Sequence, residues 1–169
     1  HDGANFSAGA NLNLFLELSQ DNQWDTLDLA VKTFQNMTQR IRFSKGPVVA
    51  APFQLTLGGG TEIIQPAAHR VASAETYIGF VEMGVGLIPG GGGNLRMILN
   101  AIDENKGAMG AFQKIQKAFE TIGFAKVSGT TQSIVLFSLL LKLKSSEDNL
   151  INLSSSPQYL INKLIRKSF

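Results

Sequence analysis

The sequence predicts a single α/β domain, and three observations carry that expectation. Two stretches, Leu12 to Leu18 and Trp24 to Ile41, space their apolar residues as helices do. The run Pro47-Val48-Val49-Ala50-Ala51-Pro52-Phe53 is apolar, short and bounded by glycine and proline, as a buried strand is. Three glycine-bearing segments follow such elements or precede them: Phe6 to Leu12, Leu57 to Glu62, and Gly86 to Gly93. Glycine lets backbone approach a ligand closely, and amides opening a helix attract anions.

The elements are predicted in this order. Residues 1–12 form a loop entering the first helix. The second helix buries Leu27, Leu29, Val31, Phe34, Met37 and Ile41, with Lys32, Gln35 and Arg40 opposite. The strand at Pro47–Phe53 follows. Gly58-Gly59-Gly60 makes a sharp turn, and a helix from Thr61 is stopped or kinked by Pro66. Val71-Ala72 and Tyr77-Ile78-Gly79-Phe80 are short strands. Helices then begin near Leu95, running to Ala101, and at Ala111, running to Ile122.

The 169 residues suffice for one domain with its own core. A net charge of +2 lacks the concentrated basic face of a nucleic-acid binder. With no cysteine, a disulfide framework and a thiolate zinc site are excluded, and a reducing cytoplasm suits the chain. His1 and His69 are too few and too far apart for a metal cluster. No apolar run reaches the ~20 residues of a membrane span. The start has neither Met nor the pattern of a signal peptide, so the chain is expected to begin mid-protein.

The glycine segments can be tested against phosphate-binding motifs. A P-loop needs Gly-Lys-Ser/Thr, which does not occur. The dinucleotide fingerprint fails because Gly84-x-Gly86 is followed one residue too late by Gly90, with Pro89 inside the turn. An oxyanion-binding role survives, and two glutamates join it. Glu62 follows the triple glycine, and Glu82 lies just ahead of the third segment. A carboxylate in apolar surroundings has its pKa raised towards neutrality, which suits proton transfer. A triple glycine by itself is more often a tight turn, and a glutamate at a helix start more often a surface residue. Spacing alone therefore leaves an α/β domain with anion-binding loops.

The motifs add a resemblance. Phe6-Ser7-Ala8-Gly9-Ala10-Asn11-Leu12, then Pro47-Val48-Val49-Ala50-Ala51 with Leu57-Gly58-Gly59-Gly60-Thr61-Glu62, then Phe80-Val81-Glu82-Met83-Gly84-Val85-Gly86-Leu87-Ile88-Pro89-Gly90-Gly91-Gly92-Gly93 resemble three blocks of the crotonase (enoyl-CoA hydratase/isomerase) superfamily, in order and near its spacing. The stretch from Ala74 to Gly90 is similar to the hydratase part of bacterial bifunctional 3-hydroxyacyl-CoA dehydrogenase/enoyl-CoA hydratases of fatty-acid β-oxidation. The resemblance covers residues 1–126 and implies a β-β-α spiral truncated on its N-terminal side.

It also implies roles. The amides of Ala10 and Gly59 form an oxyanion hole for an acyl-CoA thioester. Gly90, at the next helix start, aims a dipole there, and Ala8 and Gly58 contribute to substrate binding. Glu62 and Glu82 handle water and proton, with Glu82 donating to the α-carbon in the reversible hydration of a 2-trans-enoyl-CoA. An isomerase, a thioesterase or a non-catalytic fragment is the alternative. No cofactor is expected in this segment, because NAD belongs to a dehydrogenase portion that nothing here resembles. A homo-oligomer or a larger multifunctional chain is implied.

Several residues depart from the family pattern: Asn11 for Asp, Val81 for Pro, Ala68 for Asp, and Pro66 inside a helix. None of these touches the proposed chemistry, and His69 is expected to be structural. From Val127 to Phe169 alanine is absent and Leu, Ile, Ser, Lys and Asn dominate. This tail is expected to be a divergence or a shift of reading frame beginning near Val127.

Overall fold

A computed structural model of the protein describes residues 3–73, 75–103 and 110–128. Helix α1 (Leu12–Gln20) begins where the Asn11 side chain accepts the Leu14 N–H at 3.3 Å, an ordinary N-cap. Helix α2 (Trp24–Arg42) packs along the stripe Leu27, Val31, Phe34, Thr38 and Ile41. Two expectations for α2 need correction. Leu29 and Met37 are exposed, and Thr38 is fully buried. Strict i, i+3, i+4 spacing from Leu27 selects Thr38, and the polar residue holds its place through hydrogen bonds described below.

Two small sheets follow. Strand β1 (Val49–Ala50) pairs in parallel with β3 (His69–Arg70). The expected strand at Pro47–Phe53 is thus two residues long and half-buried, since β3 is its one paired neighbour among the described strands. The strand expected at Val71-Ala72 lies two residues earlier. The Val48 carbonyl takes the N–H groups of Ala68 and His69 and sets that register, and pairing beyond the strand continues as Val71 N–H to Ala50 O.

The second sheet carries the site. Strand β2 (Leu55–Leu57) runs parallel to β4 (Tyr77–Gly79), and β4 runs antiparallel to β5 (Val127–Ser128). β2 and β5 were not anticipated, because Leu-Thr-Leu and Val-Ser are too short to show a period. The remainder of the expected tail, from residue 129 on, lies outside the described residues. On the other edge of β2, Ser7 bridges Thr56 in parallel, with Ser7 N–H to Leu55 O and Leu57 N–H to Ser7 O both at 2.9 Å.

Helix α3 (Gly59–Ile64) starts directly after β2 and ends at Gln65, ahead of Pro66 as expected. A 3₁₀ turn (Glu82–Val85) follows β4. Helices α4 (Gly93–Asp103) and α5 (Ala111–Gly123) pack together, and the core joins Ile64, Ile78, Phe80, Met97 and Ala118.

The β4–β5 pair depends on close approach. A Cβ at Gly79 would stand 2.6 Å from the Lys126 carbonyl oxygen and 2.9 Å from Val127 Cα, both backbone atoms. Gly79→Ala in the full-length gene product should therefore cost about 1–3 kcal/mol in urea unfolding. Gly84→Ala, whose Cβ meets nothing within 4 Å, should change stability by less than about 0.5 kcal/mol. Equal effects of the two would contradict this packing.

Candidate active site

The site forms where two parallel strands end. In open α/β sheets, ligands bind beyond the carboxyl ends of the strands, because loops and helix starts converge there. β2 leads through Gly58 into α3, which carries Glu62 in its first turn, and β4 leads to the 3₁₀ turn that opens on Glu82. Gly58 has φ 54° and ψ −123°, a conformation in which a Cβ would clash with its own backbone. Thr61 then locks the start of α3 to both strands. Its hydroxyl lies 2.7 Å from Thr56 O and 2.9 Å from Gly79 O.

Glu62 is 3% exposed. Its Oε1 accepts the N–H groups of Gly91 and Gly93, each at 2.8 Å. Only glycine allows this: a Cβ at Gly91 would stand 2.8 Å from Glu62 Oε2, and one at Gly93 2.9 Å from Oε1. Glu82 is half-buried, and its Oε1 lies 3.2 Å from the point where a Gly58 Cβ would be. Its Oε2 is buried with no hydrogen-bond partner among the described residues.

Both carboxyls are raised above their ordinary value. For Glu62 burial is the main cause, opposed by the Gly93 and Gly91 amides. For Glu82 burial again leads; hydrogen bonds from its own N–H and that of Val81 oppose it, and the neighbouring Glu62 charge raises it further. The Glu62 charge therefore acts on Glu82.

The Ser7 bridge beside β2 carries the following residues towards α3, and a Cβ at Gly9 would lie 3.6 Å from Leu57 O. Ala10 and Gly59 thus arrive at the same end of β2. Among the described residues, neither N–H donates to a protein acceptor. Gly59 is the first residue of α3, where an unpaired N–H is intrinsic to helix geometry. Ala8 is exposed on the approach to Ala10.

Two expected site residues take different parts. The Gly58 N–H donates to Gly79 O at 2.9 Å, and its carbonyl accepts from Thr61 and Glu62, so Gly58 shapes the turn with its polar groups occupied. Gly90 stands three residues ahead of α4, because the glycine run first makes a turn. The helix begins at Gly93, and that N–H points at Glu62. Sequence reasoning missed Thr38, Gln35 and Thr61. A polar residue on the apolar stripe of α2 was the signal available for Thr38.

The family profile described as Enoyl-CoA hydratase/isomerase matches residues 1–113. The chain belongs to the enoyl-CoA hydratase/isomerase family. It is 47% identical over 132 residues to a "Probable 3-hydroxyacyl-CoA dehydrogenase" of Bacillus subtilis, which covers 78% of this chain and 16% of that protein. It is 35% identical over 118 residues to a "Putative fatty acid oxidation complex trifunctional enzyme" of Rickettsia prowazekii, covering 62% of this chain and 16% of the relative. The chain therefore spans about a sixth of the length of these relatives. Among solved structures, an enoyl-CoA hydratase from Thermoplasma volcanium superposes with a TM-score of 0.70 at 23% identity, covering 98% of this chain and 56% of that one. That likeness establishes the crotonase fold, an α/β architecture.

The raised carboxyls of this family member have a consequence for stability. A carboxyl whose pKa is higher in the folded state favours folding at low pH, and that contribution is lost as pH rises through the folded value. Glu82→Gln removes the loss. The variant should melt above the wild type at pH 7, with the gap closing below the ordinary value of 4.5. A lower melting temperature at pH 7, or a gap independent of pH, would contradict the raised pKa.

Proposed function

We propose that this chain is the hydratase portion of a fatty-acid β-oxidation enzyme, adding water reversibly to a 2-trans-enoyl-CoA to give the 3-hydroxyacyl-CoA. The observation that carries the reading is the pair of carboxyls, buried Glu62 and half-buried Glu82, at the end of β2 where the amides of Ala10 and Gly59 have no protein acceptor among the described residues. Water oxygen bonds to C3, the C2–C3 double bond shifts its electrons towards the thioester, and charge develops on the carbonyl oxygen. Two preorganised amides stabilise that charge, by about 3 kcal/mol per donor on the usual scale. The enolate then collapses as C2 takes a proton.

The environments of the two carboxyls divide the labour. Backbone amides favour the ionised form of both carboxyls, and the Glu62 charge in addition favours the protonated form of Glu82. We assign the proton of the pair to Glu82, whose Oε2 is buried with no hydrogen-bond partner among the described residues. Glu62 accepts a proton from the attacking water, and Glu82 delivers its own to C2. Ala8 and Gly90 flank the acyl-CoA thioester. Both carboxylates are needed for water and carbon at once, which favours hydration over isomerase or thioesterase chemistry.

The substrate is acyl-CoA, and these steps call on no cofactor. NAD belongs to a separate dehydrogenase portion of a larger multifunctional chain or homo-oligomer. The name of the Bacillus subtilis relative supports that arrangement. Among the described residues, no helix is long and apolar enough to cross a membrane, and no group of three or more His, Cys, Asp or Glu side chains could hold a metal ion. We place the enzyme in the cytoplasm, which suits the absence of cysteine.

The test is hydration of crotonyl-CoA by the full-length gene product, followed by loss of the conjugated enoyl absorbance. Glu62→Gln and Glu82→Gln should each lower kcat by about 10²–10⁴-fold. Full activity in either variant would remove that residue from the chemistry. An inactive wild type, across short and long enoyl chains, would overturn the hydratase reading.

A further inference from the structure

The glycine turn that holds Glu62 is itself held from the other side. Gln35 Nε2 donates to Gly90 O at 2.7 Å, and the Thr38 hydroxyl donates to Gly91 O at 2.7 Å while lying 2.9 Å from Gln35 O. A trans peptide is planar, and its carbonyl and N–H point in opposite directions. The Gly90 carbonyl and the Gly91 N–H belong to one such plane. Gln35 therefore fixes the plane whose N–H meets Glu62, and Thr38 fixes the next plane along. Between them, the Phe34 ring lies 2.2 Å from where a Gly91 Cβ would be and 3.3 Å from where a Gly59 Cβ would be. One helix face thus abuts both the amide proposed to bind the oxyanion and the turn that grips the carboxylate.

We propose that Gln35 and Thr38 of α2 are positioning residues for the acid–base pair, clamping the two peptide planes that flank Gly91 so that its N–H stays aimed at Glu62. The kinetic part of this rests on the hydratase reading above. The clamp explains why a fully buried threonine interrupts the apolar stripe of α2. It also gives the exposed Gln35 a task beyond solvation.

Releasing the clamp loosens the Gly91 amide, one of the two that favour ionised Glu62. The acid limb of the kcat/KM profile should then move to higher pH, because Glu62 must be ionised to act as base. Glu82 is the titratable group coupled to Glu62. On the α2 face, Phe34, Gln35 and Thr38 do not titrate, and Arg96 of α4 reaches Gln39 at 3.5 Å.

The experiment compares Gln35→Met, Thr38→Val and Thr38→Ser in the full-length gene product. Met and Val cannot donate to the glycine carbonyls, and Ser can. Gln35→Met and Thr38→Val should each lower kcat about 10-fold or more, as small misplacements do. KM should stay within about two-fold, the acid limb should move up, and Thr38→Ser should behave as wild type. A carboxyl ¹³C NMR titration of Glu62, which needs no turnover, should move up in the same two variants. Gln35 is exposed, so Gln35→Met reports even if Thr38→Val fails to fold. An unshifted Glu62 titration in Gln35→Met overturns the clamp. A shifted titration in a protein without hydratase activity overturns only the hydratase reading.

Discussion

The hydrogen bonds from the Gly91 and Gly93 amides to Glu62 are the constraint on which the site depends. An ionised carboxylate almost wholly removed from water is costly unless strong donors replace its hydration. Two charge-assisted bonds of 2.8 Å to one oxygen supply that replacement. One of them comes from the first residue of α4, where the helix dipole adds to it. The geometry leaves no room for a Cβ at either donor. The glycine run is therefore a requirement of the carboxylate, and the carboxylate ties α3 to the start of α4.

The same bonds separate two chemically identical side chains. Glu62 is buried and Glu82 half-buried, and both resist ionisation for that reason. Amide donors offset part of that cost for both, Gly93 and Gly91 for Glu62 and the N–H groups of Glu82 itself and Val81 for Glu82. Among the described residues, one buried oxygen of Glu82 has no hydrogen-bond partner, and a like charge lies nearby. The fold reaches this arrangement by running β2 and β4 in parallel, so that the turns after them open at one edge. Such a pair opposes stability at neutral pH, a familiar cost of keeping reactive groups out of water.

Much of this was legible in the sequence. The three glycine blocks marked the loops, their positions before and after Glu62 and Glu82 marked the carboxyls, and the helices followed from apolar spacing. What escaped has physical causes. β2 and β5 are three and two residues long, below any periodic signal, and are strands because their partners hold them there. The 3₁₀ turn at Glu82 lies among glycines that suit many turns. Gly58 and Gly90 looked like donors to a ligand, but an amide's partner depends on packing: Gly58 donates to β4, and the Gly90 carbonyl is held by Gln35. Thr38 reads as an interruption of an apolar face until its acceptor, fifty-three residues away, is brought beside it.

The proposed hydration requires the amides of Ala10 and Gly59 to polarise a thioester beside this carboxyl pair. The most direct measurement uses the Glu62→Gln/Glu82→Gln double variant, which keeps both amides and lacks both proposed proton-transfer groups. A conjugated acyl-CoA such as hexadienoyl-CoA is added, and its ultraviolet band is recorded as the ligand binds. Amides donating to the carbonyl oxygen stabilise charge drawn onto it, so the band should move to longer wavelength with a saturable dose dependence. Saturable binding with no displacement of the band would contradict the proposed oxyanion hole, because the thioester would then bind without meeting those amides.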